Sequence, residues 1–168
     1  MTQVIKIAIL AMGGEGGGVL ADWIVDLGEH NGYIAQTTSV PGVAQRTGAT
    51  IYYVELYPRS RAEADGGQPV LALMPLPGDV DVVLSFSHAV AKSIKPPPGV
   101  PHVCYCFTPM RYAWHRRDDY FVASGRISQA PINAARGLLL DWLQQWDLQT
   151  SRRVTHFVAV SRTVAARI

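Results

Sequence analysis

The N-terminal stretch places a strand, a glycine-rich turn and a helix in immediate succession. Val4–Leu10 is an almost continuous apolar run, which is typical of a parallel strand covered on both faces. Gly13–Gly18 follows, and the apolar residues after it recur at helical spacing until Asn31-Gly32 ends the helix. The helical apolar residues are Val19, Leu20, Trp23, Ile24 and Leu27. With Tyr33–Val40 as the next strand, this order predicts a Rossmann-like α/β layer.

The rest of the chain continues the alternation of strands and helices. Short apolar or β-rich runs predict further strands at Thr50–Leu56, Val70–Leu76, Asp81–Leu84, His102–Phe107 and Val154–Val160. Helical patterns predict a short helix over Ser87–Ile94, with Ala89, Val90 and Ile94 facing inward. A turn or helix is predicted over Met110–His115, and a long helix from Pro131 to Gln149. A final helix is predicted from Arg162, capped by Ser161. The apolar stripe of the long helix is predicted to be Leu139, Trp142, Leu143 and Trp146. Arg59–Gly67 reads as an exposed connection. We therefore expect one mostly parallel sheet of about five to seven strands with helices on both faces, in one hybrid domain.

Composition narrows the class of protein. The two halves differ in charge, with 4 Lys and Arg against 9 Asp and Glu in residues 1–84, and 11 against 4 in residues 85–168. Such asymmetry can mark a basic surface, but no nucleic-acid recognition motif accompanies it, and two segments of different origin are the preferred explanation. No apolar run approaches the roughly 18 residues of a membrane span, and no signal peptide precedes the first strand. The sequence thus predicts a soluble cytoplasmic protein.

The glycine turn is a candidate anion site. Backbone amides at a strand-to-helix turn bind phosphate well, because they are free donors at the positive end of a helix dipole. The dinucleotide fingerprint starting from Gly14 fails at Val19, and no Gly-Lys-Ser/Thr follows. Glu15 within the turn would repel a phosphate. A tight turn that lets the helix pack closely on the strand is the alternative, and both readings stay open.

Two separated motifs carry a family resemblance. Met12-Gly-Gly-Glu-Gly-Gly-Gly-Val-Leu-Ala21 and Thr38-Ser-Val-Pro-Gly-Val-Ala-Gln-Arg-Thr-Gly-Ala49 resemble the small (beta) subunit of indolepyruvate ferredoxin oxidoreductase. More broadly they are similar to the gamma domain of 2-oxoacid:ferredoxin oxidoreductases. The match covers residues 1–84, and family members often have Gln where Glu15 stands.

That resemblance implies oxidative decarboxylation of aryl 2-oxoacids in a complex. Thiamine diphosphate, iron–sulfur clusters and CoA would belong to a large partner subunit, and none of them to this chain alone. The chain has no Cys-x-x-Cys run and no thiamine-type motif. The candidate residues for a cofactor phosphate or an interface are Gly13, Gly14, Gly16, Gly17, Gly18, Gln45 and Arg46.

His102, Cys104 and Cys106 alternate on one predicted strand and so share one face. Sulfur and imidazole ligands suit zinc. Three ligands at single-residue gaps on a straight strand diverge too far for one tetrahedral ion, and a fourth would have to come from elsewhere. We therefore predict a buried strand and no metal site. Cysteines so close in sequence rarely reach disulfide geometry, which fits a reducing compartment.

The second half carries a different resemblance. Ser87-His-Ala-Val-Ala-Lys92, Pro97-Pro-Gly-Val-Pro-His-Val-Cys-Tyr-Cys-Phe-Thr-Pro-Met-Arg-Tyr-Ala-Trp114 and Val154-Thr-His-Phe-Val-Ala-Val-Ser-Arg162 resemble the N-terminal domain of family 4 retaining glycosyltransferases. The match covers residues 82–168. It implies an acceptor-binding domain facing a nucleotide-sugar donor domain that this chain lacks. Phe107 and Val160 stand where the family usually has His and Asn.

This second resemblance supplies an alternative set of site residues. Arg111, Tyr112 and Trp114, with Ser161 and Arg162, would line the acceptor cleft, since aromatic rings stack on sugars and guanidinium groups bind anions. Packing in the core and at its rim is the competing explanation for the aromatic residues.

Together the two resemblances predict a chimera with segments 1–84 and 85–168, truncated at its C-terminus. Three functions remain open: an oxidoreductase subunit, an acceptor-binding glycosyltransferase fragment, and a folded hybrid without activity of its own. In both families an apolar strand ending near Asp81–Leu84 leads through a helix to a parallel strand. A sound join therefore requires Asp81–Leu84 and His102–Phe107 to be parallel neighbours.

Overall fold

A computed structural model of the chain describes residues 3–41, 49–67, 69–70, 79–87, 90–116 and 130–168. Their six strands form one sheet in the order β2-β3-β1-β4-β5-β6. The strands are β1 Ile5–Met12, β2 Tyr33–Pro41, β3 Ala49–Pro58, β4 Val82–Ser87, β5 His102–Cys106 and β6 His156–Ala159. The helices are α1 Gly17–His30, α2 Arg59–Asp65, α3 Arg111–Trp114, α4 Ala130–Ser151 and α5 Arg162–Ala165, with a 3₁₀ turn at Ala91–Ser93. The predicted α/β, Rossmann-like fold is confirmed.

The sheet is mixed, with one strand reversed. β1 pairs with β4, β4 with β5 and β5 with β6 in parallel. β3 is antiparallel to both β1 and β2, so β2 runs in the same direction as β1 but is not its neighbour. Consequently the carboxyl ends of all described strands except β3 lie at one edge of the sheet.

The requirement placed on the join between the two segments is met. Leu84 pairs with Val103, and Ser87 pairs with Cys106, in a parallel ladder between β4 and β5. β4 itself spans the boundary drawn after residue 84. The backbone therefore forms one continuous sheet across the point where the two resemblances meet.

Helix α1 covers one face of the sheet over β1, β2 and β3. Its buried residues are Gly17, Ala21 and Gly28, and only Leu20 and Ile24 of the predicted stripe pack against the core. The five apolar residues at helical spacing do not all face the sheet, because the small residues allow closer approach and the helix is rotated toward them. This rotation exposes the other three stripe residues, Val19 by 52%, Trp23 by 69% and Leu27 by 63%.

The opposite face is covered by the C-terminal helices. Val164 of α5 packs on Cys104 and Cys106, whose side chains point away from the face that α1 covers. The predicted stripe of α4 is also rotated: Leu139 and Trp142 are more than half exposed. Its fully buried positions among the described side chains are Leu140, Asp147 and Thr150. Trp146 does pack as predicted, beside Met110 and Ala113.

One local prediction fails and another holds in part. Ser87 ends strand β4 instead of starting a helix, and the short 3₁₀ turn follows, with Val90 58% exposed. Arg59–Gly67 is exposed as predicted except at Ala62, but Arg59–Asp65 forms a helix that ends at Gly66 in the left-handed conformation. In both segments the pairing of the adjacent strand decides where the helix begins. The predicted strand Val70–Leu76 and the inward position of Ala89 lie almost wholly outside the described residues.

Along the described helices, apolar stretches are too short for any of them to cross a membrane.

Candidate functional site

The carboxyl edge of the sheet gathers most of the residues that the sequence singles out. The glycine turn follows β1, Pro41 ends β2 there, and Ser161 follows β6. Ligands and partners of open α/β sheets bind outside this edge, where loops from several strands meet. This edge is therefore the candidate functional site.

The glycine turn has two halves with different roles. Gly14 and Gly16 both have φ of 85°, a left-handed conformation that glycine tolerates best, and a Cβ added at Gly13, Gly14 or Gly16 would meet nothing within 4 Å. A Cβ added at Gly17 would lie 2.5 Å from the Ala11 Cβ. The first half of the turn thus presents open backbone, whereas the second half lets α1 pack tightly on β1.

Glu15 changes what the turn can bind. Its Oε2 accepts a hydrogen bond of 2.8 Å from the Met12 backbone N–H, and its own N–H donates to the Met12 carbonyl at 3.1 Å. A carboxylate is therefore folded against the turn and places a negative charge beside it. This arrangement favours a neutral or hydrogen-bonding partner over a phosphate group.

Gln45 and Arg46 lie outside the described residues, so their role stays a prediction. The flanking positions Pro41 and Ala49 pair within the β2–β3 ladder, at the same edge as the glycine turn. The chain enters and leaves this segment beside the open half of the turn.

The alternative acceptor residues fall into two groups. The Tyr112 hydroxyl donates to Met110 Sδ at 3.0 Å, and the Trp114 indole N–H donates to Asp147 Oδ2 at 3.0 Å. Arg111 is exposed. The two rings are thus engaged in packing α3 against α4, although Trp114 also lines a cavity of about 220 Å³. The role of these residues in sugar binding stays a prediction.

The second group lies after β6. Ser161 caps α5 as predicted, since its Oγ accepts a hydrogen bond of 3.2 Å from Val164 N–H. Arg162, the first residue of that helix, is exposed.

A buried ion pair lies beside the same cavity, and sequence reasoning did not identify it. Lys92 Nζ is 2.7 Å from Asp147 Oδ1, and their side chains are only 6% and 5% exposed. Lys92 also donates to Ser151 Oγ at 3.1 Å. The sequence indicates this buried acid only indirectly. Asp147 lies seven residues after the buried Leu140, which places both on the same side of α4. The pair joins the 3₁₀ turn, α3 and α4 through hydrogen bonds on both partners.

His102, Cys104 and Cys106 share one face of β5, as predicted, and all three are buried. Burial raises the pKa of the Cys104 thiol to about 11 and also raises the pKa of Cys106, so both stay protonated and unreactive. Among the described residues, no group of three or more His, Cys, Asp or Glu side chains is arranged to hold a metal ion. The strand has a packing role.

His102 is a buried imidazole with one polar partner. Its Nε2 lies 2.8 Å from Ser85 Oγ, and both residues are 0% exposed. Its Nδ1 has no hydrogen-bond partner within the described part of the chain. Desolvation by burial lowers the pKa of His102, so the folded state holds it neutral.

This burial predicts an acid-sensitive stability. Because the folded-state pKa of His102 lies below the unfolded value of about 6.5, the unfolded state takes up a proton first as pH falls. Stability should be fully present above about pH 6.5 and fall below it by up to about 1.4 kcal/mol per pH unit. Urea unfolding from pH 7.5 to 5 would measure this, with His102→Gln as the control that cannot titrate. If the free energy of unfolding depends on pH in the same way in both proteins, the acid sensitivity does not come from His102.

The face that α1 covers leaves a groove over β4, β5 and β6. Its floor is apolar and aromatic, with Phe86 and Tyr105 stacked at 5.2 Å between ring centroids and Phe107 edge-on to Tyr105 at 5.4 Å. The wall is the side of α1 that carries Val19 and Trp23, and the groove volume is about 480 Å³. Sequence reasoning did not identify this groove, because its lining comes from α1, β4, β5 and β6, which lie far apart in the sequence.

Known proteins share little sequence with this chain. No protein-family model matches the sequence, and no curated protein matches it. A pyruvate oxidoreductase subunit from Thermotoga maritima is similar in structure, with a TM-score of 0.43, 12% identity, and coverage of 66% of this chain and 54% of that one. A 2-oxoglutarate:ferredoxin oxidoreductase from Magnetococcus marinus, with 2-oxoglutarate, coenzyme A and succinyl-CoA bound, is also similar in structure. Its TM-score is 0.43 and its sequence identity is 14%, and the match covers 91% of this chain and 30% of that one. The chain thus spans about half of the first and less than a third of the second.

Proposed function

We propose that the chain is an accessory subunit of a 2-oxoacid:ferredoxin oxidoreductase complex. It contributes a docking edge, and a larger partner subunit contributes the chemistry. The resemblance of residues 1–84 supports this proposal and suggests aryl 2-oxoacids such as indolepyruvate as substrates. Thiamine diphosphate, iron–sulfur clusters and CoA would be held by the partner.

The open half of the glycine turn is the observation that carries the proposal. Around Gly13, Gly14 and Gly16 the backbone is bare, and it lies at the carboxyl edge, next to the end of β2 and the start of β3. Bare backbone lets another chain approach closely and exchange main-chain hydrogen bonds. A surface of this kind suits protein docking better than catalysis by the chain itself.

The residues present do not fit a cofactor held by this chain alone. Both cysteines are buried and protonated, whereas a cluster needs thiolates. The Glu15 carboxylate occupies the turn where a diphosphate would need free N–H groups. The chain can therefore position and shield a partner's site, and no reaction step is assigned to its own side chains.

Docking at the turn is tested by a side chain that blocks it. Gly13→Trp adds bulk in open space without a strained backbone, so we expect at least a tenfold loss of large subunit recovered with the tagged chain after anaerobic co-expression. Gly67→Trp is the matched control, because Gly67 also has open space and an ordinary φ but follows α2. If the unmodified chain retains no large subunit, the proposed function is wrong. If Gly13→Trp and Gly67→Trp retain it equally, the docking edge is wrong.

A further inference from the structure

We propose that two copies of this chain form a symmetric dimer, in which the α1 of each copy lies in the apolar groove of the other. This proposal goes beyond the proposed function and does not depend on it. It rests on the groove over β4, β5 and β6, on the exposed apolar side of α1, and on the distribution of charge around them.

The groove has the width of one helix. Neighbouring strands lie about 4.8 Å apart, so three strands offer a floor of about 10–14 Å, and packed helices stand about 8–10 Å from one another. α1 occupies the other half of the same face, and it packs mainly on β1, β2 and β3. One further helix beside α1 would complete the layer.

α1 of a second copy has the surface to fill that place. Val19, Trp23 and Leu27 follow one another at four-residue spacing, so they form a single stripe on the side of the helix away from its own sheet. In a symmetric pair this stripe packs against the equivalent stripe and against the floor that includes Tyr105 and Val158. Exposed apolar surface is then buried on both copies at once.

Charge supports a second copy over an unrelated helix. The side of α1 next to the stripe carries the exposed acids Asp22, Asp26 and Glu29. In the sequence, the exposed Arg152 precedes β6 at the far side of the groove, and the exposed Arg162 follows it at the start of α5. A helix placed in the groove turns its acidic side toward β6. Each copy therefore brings negative charge toward the basic residues of the other.

The symmetry also fixes the direction of the pair. For two helices to lie side by side between two facing sheets, the two-fold axis must run along the helices. The carboxyl edges of both sheets then point the same way. The two glycine turns stay open at that end, so dimer formation and docking at the turn are compatible.

The dimer is tested by the mass of the full chain in solution as a function of concentration. Trp23→Glu should raise the dissociation constant at least about 30-fold, as the loss of a central aromatic anchor does. Trp142→Glu is the matched control, because Trp142 on α4 is 59% exposed and lies away from the groove. Raising the salt concentration from about 0.05 to 0.5 M should also weaken the dimer through its charged edges.

A second measurement locates the contact. Leu27→Cys should give a covalent dimer when oxidised with glutathione disulfide, whereas Leu138→Cys, exposed on α4, should not. The native thiols are buried and do not compete.

A monomer at all concentrations, or equal effects of Trp23→Glu and Trp142→Glu, would overturn the proposal. If the chain is a monomer and its Trp23→Glu variant no longer binds the large subunit, the groove is a binding site for that subunit. This result would also overturn the proposed dimer. Gly13→Trp should leave the dimer intact, which separates this result from that for the docking edge.

Discussion

Replacing Asp147 by alanine should lower the free energy of unfolding by about 3–5 kcal/mol, because the Lys92 ammonium would stay buried without its partner. The two side chains are 5% and 6% exposed and their charged atoms lie 2.7 Å apart. The same change removes the acceptor of the Trp114 indole N–H. Such a loss is a large fraction of the total stability of a domain, which is about 5–15 kcal/mol. Equilibrium unfolding in urea measures it.

A double variant separates the buried charge from the lost packing. Lys92→Met with Asp147→Asn removes both charges and keeps an oxygen for Trp114, so it should recover more than half of the loss. Gln145→Ala, at an exposed position of the same helix, should change stability by less than about 0.5 kcal/mol. A loss below about 1 kcal/mol for Asp147→Ala would show that the pair is hydrated in solution.

Replacing Gly17 by alanine should cost about 1–3 kcal/mol, although alanine is the better helix former. The new Cβ would lie 2.5 Å from Ala11 Cβ and 2.9 Å from the Tyr52 ring. Ala11 Cβ is fixed to the backbone of β1 and cannot rotate away, so the start of α1 must move off the sheet. Thermal unfolding, at equal protein concentration because of the proposed dimer, gives the size of the effect.

Gly18→Ala is the matched control one residue along the same helix. Its Cβ would meet the Tyr52 ring at 3.4 Å, an ordinary contact. We expect no loss, or a gain of up to about 1 kcal/mol, from the lower entropy of the unfolded chain. Equal losses at both positions would mean that helix propensity, and not the close approach to β1, controls this end of α1.

The positions of the described strands could be predicted from the sequence, whereas the buried faces of the helices could not. Apolar runs such as Val4–Leu10 identify buried strands because both sides of a covered sheet select apolar residues. The rotation of α1 toward Gly17 and Gly28 depends on how closely a helix can approach its sheet, and periodicity counts glycine as neutral. Likewise, Asp147 turns inward only because Lys92, 55 residues earlier in the chain, is there to meet it.

The candidate site was predictable in part for the same reason. The glycine turn follows from local sequence, so its position at the carboxyl edge could be expected. The groove could not be predicted, because it is made of three strands and one side of a helix that lie far apart in the sequence. Ser87 shows the limit most directly: its polar side chain suggested a helix start, yet pairing with Cys106 extends the strand.

The reversed strand β3 has a consequence for the order of assembly during synthesis. β1 pairs with β3 within the first 58 residues, but its parallel partner β4 begins only at Val82. α1 packs on β1, β2 and β3, so an N-terminal unit of three strands and one helix can close before β4 has emerged from the ribosome. At about 5–20 residues per second, that unit exists alone for roughly 1–5 s. The second half of the chain is then added to a sheet edge that is already formed, with β4 pairing on the free side of β1.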